Sequence, residues 1–171
     1  GWVAPRKGFS LHVSVDGPSV TDAVETLMAW QGPGPTDQAL FAGMDTSIWD
    51  VTTAGRGVED VSVGPFANVR FQYVNFATSG GNFLWACNGE DDPVFYDGAT
   101  WTAATITGVA PEDICDVTAH RGRLYFVLKD SLKAAYLPLD SIQGAASEID
   151  LGGFFTEGGF IESVGTWSRD G

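Results

Sequence analysis

Residues 74–87 read VNFATSGGNFLWAC and hold the pattern that decides the fold. A short run with apolar Val74 and Phe76 ends in turn residues, and an unbroken apolar run from Phe83 to Cys87 follows. Gly, Ser and Asn favour tight turns, whereas an unbroken apolar run is typical of a strand that is buried on both faces. The pattern therefore predicts a hairpin whose second strand lies inside the core.

The same order of runs recurs along the chain. Each repeat predicts a first strand, a turn, an apolar strand, an aromatic strand and a final strand. The repeats cover residues 24–63, 69–107 and 114–151. Short strands joined by turn residues, without sustained helical periodicity, favour an all-β domain that spans residues 1–171.

The repeat length points to the architecture. Alignment of Trp30, Phe76, His120 and Trp167 as equivalent positions gives spacings of 46, 44 and 47 residues. Four-stranded propeller blades repeat at about 40–50 residues. We therefore predict antiparallel, four-stranded, propeller-like units, and a β-sandwich with Greek-key links is the alternative.

Two further strands are predicted at the ends of the repeats. Residues 9–15 resemble the outer strand of a preceding unit, since Leu11, Val13 and Val15 alternate with polar residues, and residues 160–167 resemble the first strand of a further unit. The stack of blades is then incomplete, which favours a fragment of a longer chain over a small closed ring. A bare sheet edge would pair with missing sequence or with a neighbouring subunit.

The composition limits the size of the core and the kinds of ligand that the protein can bind. The chain has 171 residues with a formal net charge of −13, 44% hydrophobic and 18% charged residues, so it can build one sizeable core. Such acidity disfavours free nucleic acid as a ligand of the whole surface. Aromatic burial should hold the fold together, and the residues predicted to be mainly buried are Trp30, Trp49, Phe76, Phe83, Trp85, Phe95, Trp101, Tyr125, Phe126 and Trp167.

The sequence contains little that favours catalysis. Its histidines are His12, which the alternation places on an exposed strand face, and His120, which shares a repeat position with large aromatic residues. Nucleophile elbows and phosphate-binding loops are absent from the sequence. Cys87 and Cys115 are predicted to be buried and reduced. We expect no catalytic, cofactor-binding or metal-binding residues, and no enzymatic activity.

Two local patterns allow a more specific interpretation. The acidic run Glu90 to Asp92, with Asn88, has oxygen atoms that could hold calcium, but it lacks the EF-hand spacing, so a solvated acidic turn is favoured. Residues 98–101 resemble the second half of the Asp box, a hairpin of sialidase-type propeller blades. Because Val94 and Tyr96 replace the Ser and Asp of that motif, the resemblance predicts a turn between strands and no sialidase activity.

The second half of the chain resembles a group of virion proteins of short-tailed phages and prophages, of the head-to-tail connector or tail nozzle kind. Short matches in the same order carry this resemblance, at residues 95–101, 117–126, 136–138, 142–147, 151–152, 158–159 and 165–171. It implies a propeller-like body in a ring of identical subunits and a chain that continues past Gly171. It brings no catalytic motif.

The resulting functional expectation is a structural component of a phage tail or head-to-tail connection, located in the virion. Its partners would be copies of itself and other virion proteins, with DNA at most passing through and no membrane. The alternative is a carbohydrate-binding or glycoside-hydrolysing propeller, which needs exposed aromatic rings. Burial of Trp49, Trp85 and Trp101 would favour the structural protein. A WD-repeat interaction module is a third interpretation, but Trp49-Asp50 is the lone match to its signatures.

Overall fold

A computed structural model describes residues 11–15, 23–155 and 157–167. These residues form short strands, a 3-10 turn at Pro111–Asp113, and no α-helix. The strands are β1 (Val13–Ser14), β2 (Thr26–Gln31), β3 (Gln38–Met44), β4 (Ser47–Asp50), β5 (Gly55–Arg56), β6 (Val58–Asp60), β7 (Gln72–Thr78), β8 (Gly81–Cys87), β9 (Val94–Tyr96), β10 (Trp101–Ala103), β11 (Ile106–Thr107), β12 (Ile114–His120), β13 (Arg123–Leu128), β14 (Lys133–Tyr136), β15 (Gly144–Ala145) and β16 (Ser147–Asp150).

Most strands belong to three antiparallel sheets of four strands each. The first sheet has the order β2-β3-β4-β6, the second β7-β8-β9-β10 and the third β12-β13-β14-β16. The all-β class and the antiparallel four-stranded units are thus confirmed. Two short parallel pairs, β1 with β5 and β11 with β15, lie outside these sheets. The described residues close into neither a barrel nor a ring.

The second and third sheets pack face to face through aromatic side chains. The rings of Trp85 and Phe126 are stacked with centroids 4.8 Å apart. Both side chains are fully buried, and Trp85 Nε1 donates a hydrogen bond of 2.9 Å to the carbonyl of Ile142. This aromatic pair lies in the buried cluster that joins the two sheets, although its two members are about 40 residues apart in the sequence.

The first and second sheets meet through a second aromatic cluster. Phe41, 2% exposed, makes edge-on contacts with Tyr96 and Trp101 at centroid distances of 4.8 and 5.1 Å. Gly43, two residues further along β3, leaves room for the chain that links the two sheets. A Cβ atom at this glycine would lie 2.7 Å from the carbonyl oxygen of Val69.

A β-bulge adapts the first strand of the third sheet. The register shifts between Ile114 and Asp116, so one residue of β12 has no partner in β13. Alternation alone would place Ile114 and Val117 on opposite faces, since they are three residues apart. The bulge brings both side chains into the core against the second sheet, where they are 0% and 5% exposed.

The predicted burial of aromatic residues needs three corrections. Phe83 and Tyr125 are half-buried, and Trp167 is 84% exposed, which contradicts its prediction. Trp167 is exposed because no sheet covers it in the described part of the chain. The other predicted aromatic residues are buried: Trp30, Trp49, Phe76, Trp85, Phe95, Trp101 and Phe126.

The strand predicted over residues 160–167 is absent. The backbone of Ile161 donates to Ser131 O (2.9 Å), and that of Val164 donates to the Asp116 carboxylate (2.9 Å). A strand needs a regular ladder of backbone partners, which these separate bonds do not form. In the predicted segment 9–15, strand β1 covers Val13–Ser14; residues 9 and 10 lie outside the described ranges.

Val69, Phe71 and Tyr73 alternate with polar residues, a pattern that predicts a strand from Val69 onwards, but β7 begins at Gln72. The Thr26 hydroxyl replaces the missing ladder: it donates to Val69 O (2.7 Å) and accepts from Phe71 N (3.0 Å). Val69 and Phe71 are nevertheless buried, 0% and 5% exposed. The alternation therefore predicts the burial of Val69 and Phe71 correctly, but it places the start of β7 too early.

Candidate functional site

The residues singled out in the sequence fall into separate places. His12 is exposed, and its Nε2 lies 3.1 Å from the carbonyl oxygen of Val51. His120 is half-buried, with its Nδ1 hydrogen-bonded to Thr166 Oγ1 at 2.6 Å and its ring 6.4 Å from that of Tyr125. His12 therefore has a backbone partner and His120 a threonine hydroxyl, and the two histidines lie in different places.

The acidic turn after β8 is held by hydrogen bonds of its own. Asn88 Oδ1 accepts from the backbone of Glu90 and Asp91, and Asn88 Nδ2 donates to the Asp91 carboxylate. That carboxylate also accepts from the backbone of Ala67, and Glu90 pairs with Lys129. The oxygens thus fasten the turn to neighbouring segments. Across the ranges that the structure describes, no group of three or more His, Cys, Asp or Glu could hold a metal ion.

The segment that resembles half an Asp box forms a hairpin turn between β9 and β10, as predicted. Asp97 Oδ1 accepts hydrogen bonds of 2.8 Å from the backbone of Ala99 and of Thr100. Gly98 has a φ of +99°, which a residue with a side chain rarely adopts. Trp101 is 2% exposed and packs on the core side of the turn. These contacts give the segment a structural role.

A cleft lies beside this turn, between the first and second sheets. It encloses about 710 Å³, and its lining includes Asp37, Asp50, Asp97, Tyr96 and the edge of Trp30. Burial raises the pKa of Tyr96, and the charges of Asp50, Asp97 and Asp60 raise it further. The cleft is therefore polar and electronegative. Trp30 offers it little ring surface, because its side chain is 8% exposed.

Both cysteines are free, but the predicted burial is correct for Cys87 and wrong for Cys115. Cys87 is 1% exposed, whereas Cys115 is half-buried and lines a small cavity with Gln72 and Lys129. Burial raises the pKa of both thiols, and the nearby Asp116 carboxylate raises each further. Neither environment activates a thiolate nucleophile.

The difference in exposure between Cys87 and Cys115 predicts selective thiol labelling. At pH 8, a disulfide reagent should modify Cys115 at least about tenfold faster than Cys87, because only Cys115 can be reached in the folded state. The rate at Cys115 should keep rising above the ordinary thiol pKa, since its thiolate forms at higher pH than in a free cysteine. The coloured thiol that the reagent releases on each reaction measures the labelling rates of Cys87 and Cys115.

The matched variant is Cys115→Ser, which should leave the native protein almost unreactive and one thiol reactive in denaturant. Equal, fast labelling of both cysteines in the native protein would contradict the described packing.

Two sheet faces at the ends of the stack complete the candidate surfaces. The front face of the first sheet carries apolar Leu27, Leu40, Ala42, Met44, Trp49 and Val51, with Glu59 beside Trp49. Only β1 and its neighbours cover it among the described residues, through Val13 and Val15. A cavity of about 470 Å³ remains there, and none of its lining residues is acidic.

The back face of the third sheet is of a different kind. Beside Asp116 and Val127, it carries Thr118, His120, Arg123, Tyr125 and Tyr136. The guanidinium of Arg123 lies 5.4 Å from the ring centre of Tyr136, and the two tyrosine rings are 5.8 Å apart. All five side chains are half-buried. The alternation in β12 and β13 could have located this face, but only the tertiary structure shows what lies on it: Val164 donates to Asp116, Thr166 is hydrogen-bonded to His120, and Val127 of the same face is 0% exposed.

Comparisons of the chain with protein-family models, with curated proteins and with solved structures gave no match. No segment of the described chain forms a helix of the length and hydropathy needed to span a bilayer.

Proposed function

We propose that this chain is a structural component of a phage tail or head-to-tail connection, acting in a ring-forming scaffold around the DNA path. One observation carries the proposal: three like sheets are stacked in chain order and joined by aromatic side chains. Such a stack is typical of propeller-like bodies, in which the sheets serve as building units. In this proposal the arrangement is propeller-like, and the scaffold belongs to the virion.

Burial of tryptophan supports this proposal over a carbohydrate-binding or glycoside-hydrolysing propeller. Trp49, Trp85 and Trp101 are 8%, 0% and 2% exposed. Proteins that stack sugars on aromatic side chains present those rings to solvent, whereas these rings fill the interfaces between strands and sheets.

The acidity of the chain fits a channel through which DNA passes. At a net charge of −13, the protein repels phosphates over distances of about a Debye length, ~10 Å at moderate salt. A basic lining would bind the DNA and slow its passage. In this proposal the chain contacts DNA only in transit and reads no sequence.

Purified particles test the proposal. Cells that carry the gene are treated to induce phage production, and particles are separated by density and analysed by quantitative mass spectrometry. We expect peptides of this chain in the DNA-containing particle fraction, in several copies per particle. The chain's absence from that fraction, or its specific binding to a glycan array, would contradict the structural role.

A further inference from the structure

Residues 157–167, the strap, lie along the back face of the third sheet without joining it as a strand. Three separate hydrogen bonds attach the strap: Ile161 N donates to Ser131 O (2.9 Å), Val164 N donates to the Asp116 carboxylate (2.9 Å), and Thr166 Oγ1 is bonded to His120 Nδ1 (2.6 Å). The third sheet has its own complete ladder, so it does not need these bonds to form.

The strap buries little apolar surface. Ile161 and Val164 are half-buried, whereas Phe160 and Trp167 are exposed. None of the strap residues belongs to the apolar clusters that join the described sheets. Apolar burial is the main favourable contribution to folding, so the strap depends on its few hydrogen bonds.

The linker between the first and second sheets, residues 61–71, is the internal comparison. It also follows the fourth strand of its sheet and lies outside the strands. Its hydrogen bonds are of the same two kinds: Phe66 N donates to a backbone carbonyl (2.9 Å) and Phe71 N to a side-chain hydroxyl (3.0 Å). In contrast to the strap, the linker buries Phe66, Val69 and Phe71 in the cluster between its two sheets. Burial therefore reinforces these bonds in the linker and not in the strap.

A cavity of about 340 Å³ lies between the strap and the sheets. Residues 160–163 of the strap form part of its lining, and Gln72 of β7, Cys115 of β12 and the turn after β13 form the rest. Empty space beside the strap deprives it of packing contacts. It also means that the position of the strap decides how much of Cys115 a reagent can reach.

We propose that the strap is a cover that opens by itself: it detaches from the back face of the third sheet while the three sheets stay folded, and its detachment uncovers Cys115. Local opening of this kind is expected where hydrogen bonds lie near solvent and few buried apolar contacts support them. The open form lacks three hydrogen bonds and one wall of the cavity. The inference does not depend on the scaffold role.

Residue-resolved hydrogen exchange of the full chain tests the opening. Ile161 is matched with Phe66, and Val164 with Phe71, because the members of each pair donate to the same kind of acceptor. After correction for intrinsic rates, we expect the strap amides to exchange at least about 100-fold faster than the linker amides, and at least about tenfold slower than in an unstructured peptide. Low urea should accelerate exchange in the linker and leave the strap unchanged, because local opening exposes little surface.

Thr166→Val tests the connection with Cys115. Valine keeps the size of the side chain and removes the hydroxyl that bonds His120, so the strap should open more often. We expect exchange at Val164 and reaction of Cys115 with a disulfide reagent to become about three- to tenfold faster, the effect of losing one hydrogen bond. In that reaction the thiolate attacks the reagent's disulfide, a mixed disulfide forms on Cys115, and the coloured thiol leaves.

Thr102→Val is the matched control, since Thr102 is exposed in β10 of the second sheet, and it should change neither rate. Equal exchange rates in the strap and the linker, or equal responses to urea, would overturn the inference, because the strap would then open only with the sheets. Strap amides that exchange as in an unstructured peptide would also overturn it, since the closed form would not exist. If Thr166→Val accelerated exchange at Val164 but not the labelling of Cys115, the strap would not cover this thiol.

Discussion

Replacement of Trp85 by alanine should lower the free energy of unfolding by about 3–5 kcal/mol. Trp85 is 0% exposed, stacks on Phe126 across the boundary between the second and third sheets, and donates a hydrogen bond to Ile142. Alanine would leave a cavity in the buried cluster between the two sheets, and it would leave the Ile142 carbonyl without this donor. The urea midpoint, followed by fluorescence and circular dichroism, measures the loss.

Trp167→Ala is the matched control, because the same substitution is made at a side chain that is 84% exposed. It should change the free energy of unfolding by less than about 0.5 kcal/mol. A small effect at Trp85, or equal effects at both positions, would show that the aromatic contact between the sheets does not hold the stack together.

Replacement of Gly43 by valine should lower the free energy of unfolding by about 3 kcal/mol, through overpacking. A Cβ at this position would lie 2.7 Å from the backbone oxygen of Val69 and 3.1 Å from the Val69 side chain, before the two methyl groups are added. The backbone of Val69 cannot easily retreat, because the Thr26 hydroxyl holds it at 2.7 Å. Either the linker or β3 must therefore shift away from the core.

Gly153→Val is the control for this substitution, since no atom lies within 4 Å of a Cβ placed there. We expect a change of less than about 0.5 kcal/mol in the same urea experiment. If Gly43→Val unfolded at the wild-type midpoint, the close passage of the linker over the first sheet would be wrong.

Much of the local structure could be predicted from short patterns. The run Phe83 to Cys87 lies within the central strand β8, and the turn at Gly98 forms the expected hairpin. Both signals are local, because an apolar run and a glycine determine the backbone conformation of only a few neighbouring residues. The strands of the three sheets also lie inside the repeat ranges 24–63, 69–107 and 114–151.

The errors concern residues whose environment is supplied from far away. Trp167 matches Trp30 and Phe76 in spacing, but it is exposed because no described sheet packs on it. Val69 alternates as a strand residue does, but its partner is the side chain of Thr26. The role of Asp97, which accepts two backbone hydrogen bonds in its turn, had no separate signal in the sequence beyond its place before Gly98.

The sequence by itself determined the class of fold, the position of the hairpins and the side of each central strand that is apolar, because alternation and turn chemistry act over a few residues. Only the tertiary structure decided which apolar faces are covered. Leu40 and Leu84 have the same local pattern, yet one borders an open cavity and the other is fully buried. The difference arises because burial depends on whether another sheet packs there, and that is a property of the whole stack.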